Sequence, residues 1–323
     1  MARELRVYRS LAEVGDTFGP CALTIGNFDG VHRGHQEIFR RVAAAARASR
    51  WAAAALTFDP HPARVVAPDR APPMLSSVEQ RTQWMGEQGI TAVIVLPFDD
   101  SVAAMKPEFF VRSILVERLR VRAVFLGADF RFGHRAAGDV ALLRAMGAQL
   151  GFAVETVEPV RHCGLIVSST EIRRRIIRGQ VAAAARLLGR FYSLEGRVVP
   201  GEGVGTRQTV PTLNMETDNE VLPGGGVYVT RTTDCDRTRC WPSITNIGYR
   251  PTFGGNRLTI ETFLLTRLDD RAPARIRVEF THRLRDERRF DSPEELKTQI
   301  MRDVARAQTW HRRFGLLRTK AER

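Results

Sequence analysis

The chain is short of cysteine, lysine and long apolar runs, and each shortage excludes something. Four of its 323 residues are cysteine (Cys21, Cys163, Cys235 and Cys240), too few and too scattered for a disulfide framework. Cys235 and Cys240 lie close together in C-D-R-T-R-C, but no second Cys or His pair completes a zinc site. The expectation there is a surface loop with reduced thiols. No apolar run approaches the ~20 residues of a membrane span. The opening M-A-R-E-L-R-V-Y has neither the apolar core nor the small-residue cleavage site of a signal peptide. These absences lead to the expectation of a cytoplasmic globular protein with no membrane partner. Of the 49 basic residues only Lys106, Lys297 and Lys320 are lysine, and the other 46 are arginine.

The formal charge is +13. Arginine spread along the whole chain reads as a codon preference rather than a nucleic-acid face, and such a field would favour small, highly charged phosphates. The run Arg173-Arg174-Arg175 reads as a solvated helix face, and the stretch from His311 to Arg323 as a frayed end. The alternative is an Arg-rich RNA-binding protein, which requires basic residues on one continuous face. At 43% hydrophobic and 26% charged, the composition is that of a folded chain. The length fits about two domains of ~100–200 residues.

Up to about Gly189, short apolar runs alternate with longer amphipathic ones. Residues 21–26, 53–58, 92–96, 123–127 and 153–157 read as buried strands, and 36–49, 77–88, 107–119 and 139–150 as helices. This alternation predicts a parallel sheet covered on both faces, with ligands at the carboxyl ends of its strands. After Gly189 come β-branched runs broken by Gly and Pro, which predict an antiparallel barrel or sandwich. One helix closes the chain, from about Pro293 to Gln308, with Ser292 as N-cap and Glu295 in the capping-box position. The predicted domains are 1–188 and 189–323. A homo-oligomer is compatible with the sequence.

The first strand runs into G-N-F-D-G-V-H-R-G-H, residues 26–35. Gly26, Gly30 and Gly34 let backbone approach a ligand closely, and the helix that follows offers exposed N–H groups to an anion. His32 and His35 are three apart and project to one side of that helix start. Two imidazoles beside a phosphate cradle can donate to a phosphorus centre that gathers charge.

H-x-G-H on the first strand–helix turn resembles the nucleotidylyltransferase superfamily. A second element of that superfamily is S-S-T-E-I-R, with Ser168, Ser169 and Thr170 opening a helix and Arg173 as a cation for leaving pyrophosphate. T-F-D-P-H-P (57–62), G-A-D-F-R-F-G (127–133) and the full G-N-F-D-G-V-H-R-G-H resemble the FMN adenylyltransferase module of the bacterial bifunctional riboflavin kinase/FMN adenylyltransferase, or FAD synthetase, family. In the second half, G-R-V-V-P-G-E-G-V-G (196–205), P-T-L-N (211–214), L-P-G-G-G-V-Y (222–228), N-I-G-Y-R-P-T-F-G (246–254) and V-E-F-T-H-R-L-R-D-E (278–287) resemble its riboflavin kinase module, in order.

The resemblance implies a Rossmann-like nucleotidylyltransferase domain followed by an antiparallel β-barrel kinase domain with a C-terminal helix. It implies ATP, riboflavin, FMN and FAD as ligands, Mg²⁺ as cofactor and no nucleic acid. Phosphate contacts would come from Gly26, Asn27, Phe28, Asp29, Gly30 and Gly34 with Ser168, Ser169 and Thr170. Asp59, His61, Asp129 and Phe130 would bind flavin. In the second module Gly201, Gly203 and Gly205 would wrap ATP phosphates. Thr212 and Asn214 offer hard oxygens for Mg²⁺, and Glu261 stands at the position of the family's catalytic base. The chain departs from the family at Gln208-Thr209-Val210, where Leu-Gly-Phe is usual, at Leu213 for Ala, and at Asp129 for Asn. The narrower reading these departures leave is an FMN adenylyltransferase with a weakened or lost kinase.

Overall fold

Side chains along consecutive strands divide between two apolar layers, one on each face of a parallel sheet. A computed structural model describes residues 4–200, 212–236, 239–252, 255–268 and 271–315. The chain divides into two units, Met1–Ser169 and Thr170–Arg323.

The first unit contains β1 (Arg6–Tyr8), β2 (Cys21–Ile25), β3 (Ala52–Asp59), β4 (Ala92–Pro97), β5 (Val121–Gly127), β6 (Arg131–Phe132), β7 (Gly138–Asp139), β8 (Ala153–Val157), β9 (Arg161–His162) and β10 (Leu165–Ile166). Its helices are α1 (Arg33–Ser49), α2 (Pro62–Val66), α3 (Val78–Glu87), α4 (Asp100–Ala103), α5 (Pro107–Phe109) and α6 (Val140–Leu150), and a π-helical stretch, Phe110–Arg118, continues α5. The sheet has the order β1-β4-β3-β2-β5-β8 with every pair parallel. Leu23, Ile25, Leu56, Ile94 and Val124 pack on one face with Ile114, Leu115 and Met146. Ala22, Ala55, Val93 and Phe125 pack on the other with Phe39 and Val42 of α1 and Trp84 and Met85 of α3. This split follows from the two-residue period of a strand. From β2 the chain moves through β3 to β4 on one side, then returns to β5 on the other. The carboxyl ends of β2 and β5 therefore flank the crevice where such sheets bind ligands.

α7 (Ser169–Ile177) starts at the last residue of the first unit, and the second unit holds the rest of it and α8 (Val181–Leu188), whose Val181, Ala184, Leu187 and Leu188 are buried. Then come β11 (Tyr192–Val199), β12 (Thr212–Thr217), β13 (Gly226–Asp234), β14 (Cys240–Thr252), β15 (Gly255–Leu264) and β16 (Arg275–Arg285). They form a closed barrel in the order β11-β12-β15-β14-β13-β16, so of the two predicted architectures the barrel is the one found. Closure removes exposed sheet edges. In its interior, buried hydroxyls bond one another across strands: Thr232 to Ser243, Ser243 to Thr230, Thr230 to Thr245 and Thr245 to Thr262, each at 2.8–2.9 Å. Every one of those hydroxyls has a partner, which is what burial demands.

Helix α9 (Pro293–Arg313) closes the described chain. Ser292 accepts the Glu295 N–H at 3.2 Å, as the capping pattern predicts, and Glu295 reaches back to the Asp291 N–H at 3.3 Å. Val304, Ala307 and Trp310 pack on Val227, Val229 and Ile244 outside the barrel. His311 is fully buried and meets the Ser243 carbonyl at 3.3 Å, so the frayed basic end does not begin at His311. All four cysteines are free, with Cys240 exposed and Cys235 half-buried. Among the described residues no helix is long and apolar enough to cross a membrane.

Candidate active sites

The segment between β2 and α1 is held in a conformation that side chains ordinarily avoid. Phe28 and Val31 have φ of 49° and 38°, beside Gly30 at 76°. Both non-glycine residues are buried in the apolar layer under α1, and that packing sustains the strain. Asp29 is also buried. Its carboxylate accepts from the Leu75 N–H at 3.0 Å and from the Ser76 N–H and hydroxyl at 3.1 Å, while Ser76 Oγ accepts the Gly30 N–H at 3.0 Å. The Asp29 side chain thus ties the loop to residues 75–76. Its carbonyl accepts the Ser169 hydroxyl at 2.9 Å, which ties Ser169 to the G-N-F-D-G loop.

His32 caps α1, its Nδ1 accepting the His35 N–H at 3.3 Å. With Nδ1 used as acceptor, the proton of neutral His32 sits on Nε2. The two rings stack at 3.6 Å between centroids and 19° between planes, and Phe28 meets His35 edge-on at 5.3 Å. A Cβ on Gly34 would lie 3.1 Å from the His32 ring, so any side chain there would press on that ring.

Asn27 joins the first loop to the one after β3. Its carbonyl accepts the Thr57 hydroxyl at 3.2 Å, and its side-chain amide meets His61 Nε2 at 3.0 Å. His61 caps α2 by accepting the Ala63 N–H on Nδ1, so neutral His61 carries its proton on Nε2. Asp59 ends β3 just before His61. Across the crevice, Asp129 is exposed in the turn after β5 and Phe130 stacks on Phe132 at 5.6 Å. Ser168 is half-buried ahead of α7, Thr170 is exposed in its first turn, and Arg173 is half-buried on it.

On the barrel, Leu213 and Met215 point inward, which turns Thr212 and Asn214 of β12 outward. Strand pairing sets Asn214 opposite Glu261 and Glu261 opposite Asn246, so the three occupy one row across β12, β15 and β14. Ile260 and Thr262 point inward on either side of Glu261, which places that carboxylate half-buried on the outer face. A Cβ on Gly248 would lie 2.2 Å from Glu287 Oε1 and 3.4 Å from Asn246 Nδ2, so the Glu287 carboxylate fills the space beside this row. The L-P-G-G-G-V-Y loop is pinned by Tyr228, whose hydroxyl donates to the Gly224 carbonyl, and by Arg283, which donates to the Gly225 carbonyl. Burial pushes the Tyr228 hydroxyl up to about 12. Gly201, Gly203, Gly205 and Gln208-Thr209-Val210 lie outside the described residues.

A family profile described as FAD synthetase matches residues 16–171, and one described as riboflavin kinase matches residues 188–311. A bifunctional riboflavin kinase/FMN adenylyltransferase from Escherichia coli strain K12 is 35% identical over 296 residues, covering 92% of this chain and 93% of the relative. The chain belongs to the bifunctional riboflavin kinase/FMN adenylyltransferase family. The member from Pseudomonas fluorescens is 36% identical over 94% of this chain and 97% of its own. A crystal structure described as a macrolide-efflux protein from Streptococcus pneumoniae superposes with a TM-score of 0.83 at 25% identity, covering 94% of this chain and 98% of that one.

Within this family frame the structure brings together His32, His35, Asn27, Asp29 and Ser169 on the first unit, and aligns Asn214, Glu261 and Asn246 on the second. Asn246 was not singled out from the sequence, although it stands in the N-I-G-Y stretch. Ser76 and Arg81, which help brace the first loop, carried no sequence signal, and Thr57 stood in T-F-D-P-H-P without a role of its own. Among the described residues no group of three or more His, Cys, Asp or Glu is placed to hold a metal ion.

Proposed function

We propose that residues 1–188 perform one step of FAD synthesis and residues 189–323 the other, with the residues assembled above. The chain phosphorylates riboflavin to FMN and adenylylates FMN to FAD, as its family membership states. On the barrel, Glu261 takes the proton of the riboflavin ribityl hydroxyl while its oxygen bonds to the γ-phosphorus of ATP. The bond to the β-phosphate oxygen breaks, and ADP leaves. The supporting observation is the row Asn214–Glu261–Asn246, a carboxylate between two amides on one face of a rigid closed sheet.

Thr212 and Asn214 share that face. A hydroxyl and an amide are the hard, uncharged oxygens suited to a magnesium ion that keeps water and phosphate ligands, so the donor set fits Mg²⁺. When bound, such an ion neutralises charge on the phosphates of ATP.

In the first unit a phosphate oxygen of FMN bonds to the α-phosphorus of a second ATP, and the bond to the β-phosphate oxygen breaks to release pyrophosphate. No protein nucleophile is needed. His32, through Nε2–H, and His35 donate to the phosphate as charge gathers, with the N–H groups at the start of α1 beside them. Ser168 and Ser169 take the polyphosphate, Ser169 being bonded to the Asp29 carbonyl, and Thr170 and Arg173 follow them in the chain on α7. Asp59, His61, Asp129 and Phe130 hold flavin, the Phe130–Phe132 stack giving an aromatic surface on the β5 side. Asp29 serves this site by fixing the loop. The arginine excess acts as a field that gathers these anionic substrates in the cytoplasm.

Incubation with riboflavin, ATP and Mg²⁺, followed by chromatographic separation of riboflavin, FMN and FAD, tests the whole reading. FMN appearing first and FAD later supports it. FAD formed from supplied FMN but never from riboflavin would establish the narrower adenylyltransferase instead.

A further inference from the structure

Beneath the first site, α3 sends a cationic side chain into the protein interior. Arg81 is 2% exposed and is among the largest fully buried side chains. Its Nη2 donates to the Phe58 carbonyl at 2.6 Å, its Nη1 reaches the Asn27 carbonyl at 3.5 Å, and its Nε has no acceptor. Among the described residues no carboxylate lies within ion-pair distance of it. Burial lowers its pKa from the usual arginine value, against the attraction of Asp29, Asp59 and Glu79. A guanidinium nonetheless stays charged at any working pH.

A buried cation with carbonyl acceptors and no carboxylate burdens folding, and an apolar side chain of similar volume would be better tolerated. What the guanidinium provides is visible in what it touches. Phe58 is the penultimate residue of β3, and Asn27 follows β2 by two residues. At this place the Gly26 N–H bonds the Leu56 carbonyl at 3.1 Å, Thr57 bonds the Asn27 carbonyl, and His61 meets the Asn27 amide. The loop that carries His32 and His35 is therefore joined to the loop that carries Asp59 and His61, and Arg81 supplies the positive charge in the join. Carbonyl oxygens at strand ends carry partial negative charge beside what is an anion site. A cation bonded to two of them offsets that charge and fixes both loops in one spacing, in a low-dielectric setting where such interactions are strong.

We propose that Arg81 is a positioning residue for adenylyl transfer, holding the Asn27 and Phe58 carbonyls so that the two loops face the phosphates in one fixed geometry. The proposal rests on the reading of the first unit as the adenylyltransferase. It is tested on the full chain with Arg81→Met, which keeps volume and removes charge, and Arg81→Lys, which keeps charge and one donor. FMN formation from riboflavin and FAD formation from FMN are measured separately, at least 20 °C below each variant's melting temperature so that every variant is folded.

Misplaced loops should lower kcat for FAD formation roughly 10²-fold in Arg81→Met, with the KM for FMN changed far less, because a displacement of about 1 Å costs about that much. Arg81→Lys should recover part of the loss at no gain in melting temperature over Arg81→Met. FMN formation should match wild type in both. Wild-type kcat for FAD formation in folded Arg81→Met would overturn the proposal. So would equal losses in the Lys and Met variants, which would mark a packing role. If Arg81→Met precipitates, Arg81→Gln takes its place, with Lys again expected to exceed it and equality again overturning the proposal. A wild-type chain that makes FMN but no FAD removes the underlying reading, and the proposal with it.

Discussion

The His32 and His35 rings lie parallel to within 19° at 3.6 Å, and the first accepts the backbone N–H of the second. The pair is one unit: moving either ring moves the other. Replacing either with Ala should lower FAD formation by roughly 10²–10³-fold, the range for losing one preorganised donor. The double variant should lose much less than the product of the two. His32→Ala also removes a helix cap, worth ~0.5–2 kcal/mol of stability. His32→Asn keeps a capping acceptor, so it should melt near wild type and still turn over slowly. FMN formation, measured in the same samples, should be unaffected in all of them. Equal loss of both activities in folded protein would sink the assignment of one reaction to each unit.

Glu37 on α1 gives a pH dependence whose sign is fixed. Hydrogen bonds from Arg40 at 2.7 and 2.8 Å and from Arg41 at 3.0 Å hold its carboxyl down to about 2, against an ordinary value of 4.5. A depressed carboxyl pKa means the unfolded chain binds the proton more readily, so the stabilisation is present above about pH 4.5 and is lost as pH falls through about 2. Glu37→Gln should therefore lower the urea midpoint most at neutral pH, and the gap to wild type should close towards pH 2. A gap that widened on acidification would contradict the assigned pairing. High salt should narrow it at every pH, because both arginines are exposed or half-exposed.

The parallel sheet was legible because a strand covered on both faces must be apolar almost throughout. β2 to β5 appear in the sequence as short unbroken runs, and the observed ends differ by one or two residues. β1 escaped notice because three residues, R-V-Y, at a sheet edge form no pattern. Residues 107–119 read as one helix, and a π-helical stretch within them buries Phe110, Val111, Ile114 and Leu115, a spacing that an α-helix would also produce. In the sequence, P-T-L-N presents Thr212 and Asn214 as a pair of hard oxygens suited to Mg²⁺. Only strand pairing shows that Thr212 and Asn214 alternate with buried Leu213 and Met215. H-x-G-H was readable because local spacing creates that chemistry. Arg81 was not, since an arginine among polar neighbours on a capped helix looks solvated, and only the tertiary structure buries it.

α8 bears on where the second unit can be cut. The predicted boundary near Gly189 leaves α7 and α8 with residues 1–188, and grouping by contacts places residues 170–188 in the second unit. α8 packs on β16 and β11 and buries Val181, Ala184, Leu187 and Leu188. Each buried Leu or Val contributes ~1.5–3 kcal/mol, against a total stability of ~5–15 kcal/mol for a domain. A fragment of residues 170–323 should fold and convert riboflavin to FMN without making FAD. A fragment of residues 189–323 should melt about 10 °C lower or fail to fold. Equal melting temperatures for the two would show that α8 adds nothing to the barrel.

The row Asn214–Glu261–Asn246 makes the sharpest demand on the kinase reading. Glu261→Gln keeps shape and removes the base, so FMN formation should fall by roughly 10²–10⁴-fold while conversion of supplied FMN to FAD persists. Asn214 and Thr212 act through oxygens suited to a hard cation. Asn214→Ala or Thr212→Ala should raise the Mg²⁺ concentration needed for half-maximal rate more than it lowers the saturated rate. Asn246 is on the other side of Glu261 from Asn214, next to the Glu287 carboxylate that Gly248 admits. Asn246→Asp would add a carboxylate near that of Glu287 and opposite Glu261 in the strand register. That substitution should lower the rate of FMN formation more than Asn246→Ala does, because it adds negative charge where the phosphates of ATP must gather. Glu261→Gln phosphorylating riboflavin at the wild-type rate, with Asn246→Asp no slower than Asn246→Ala, would mean that the base lies elsewhere on the barrel.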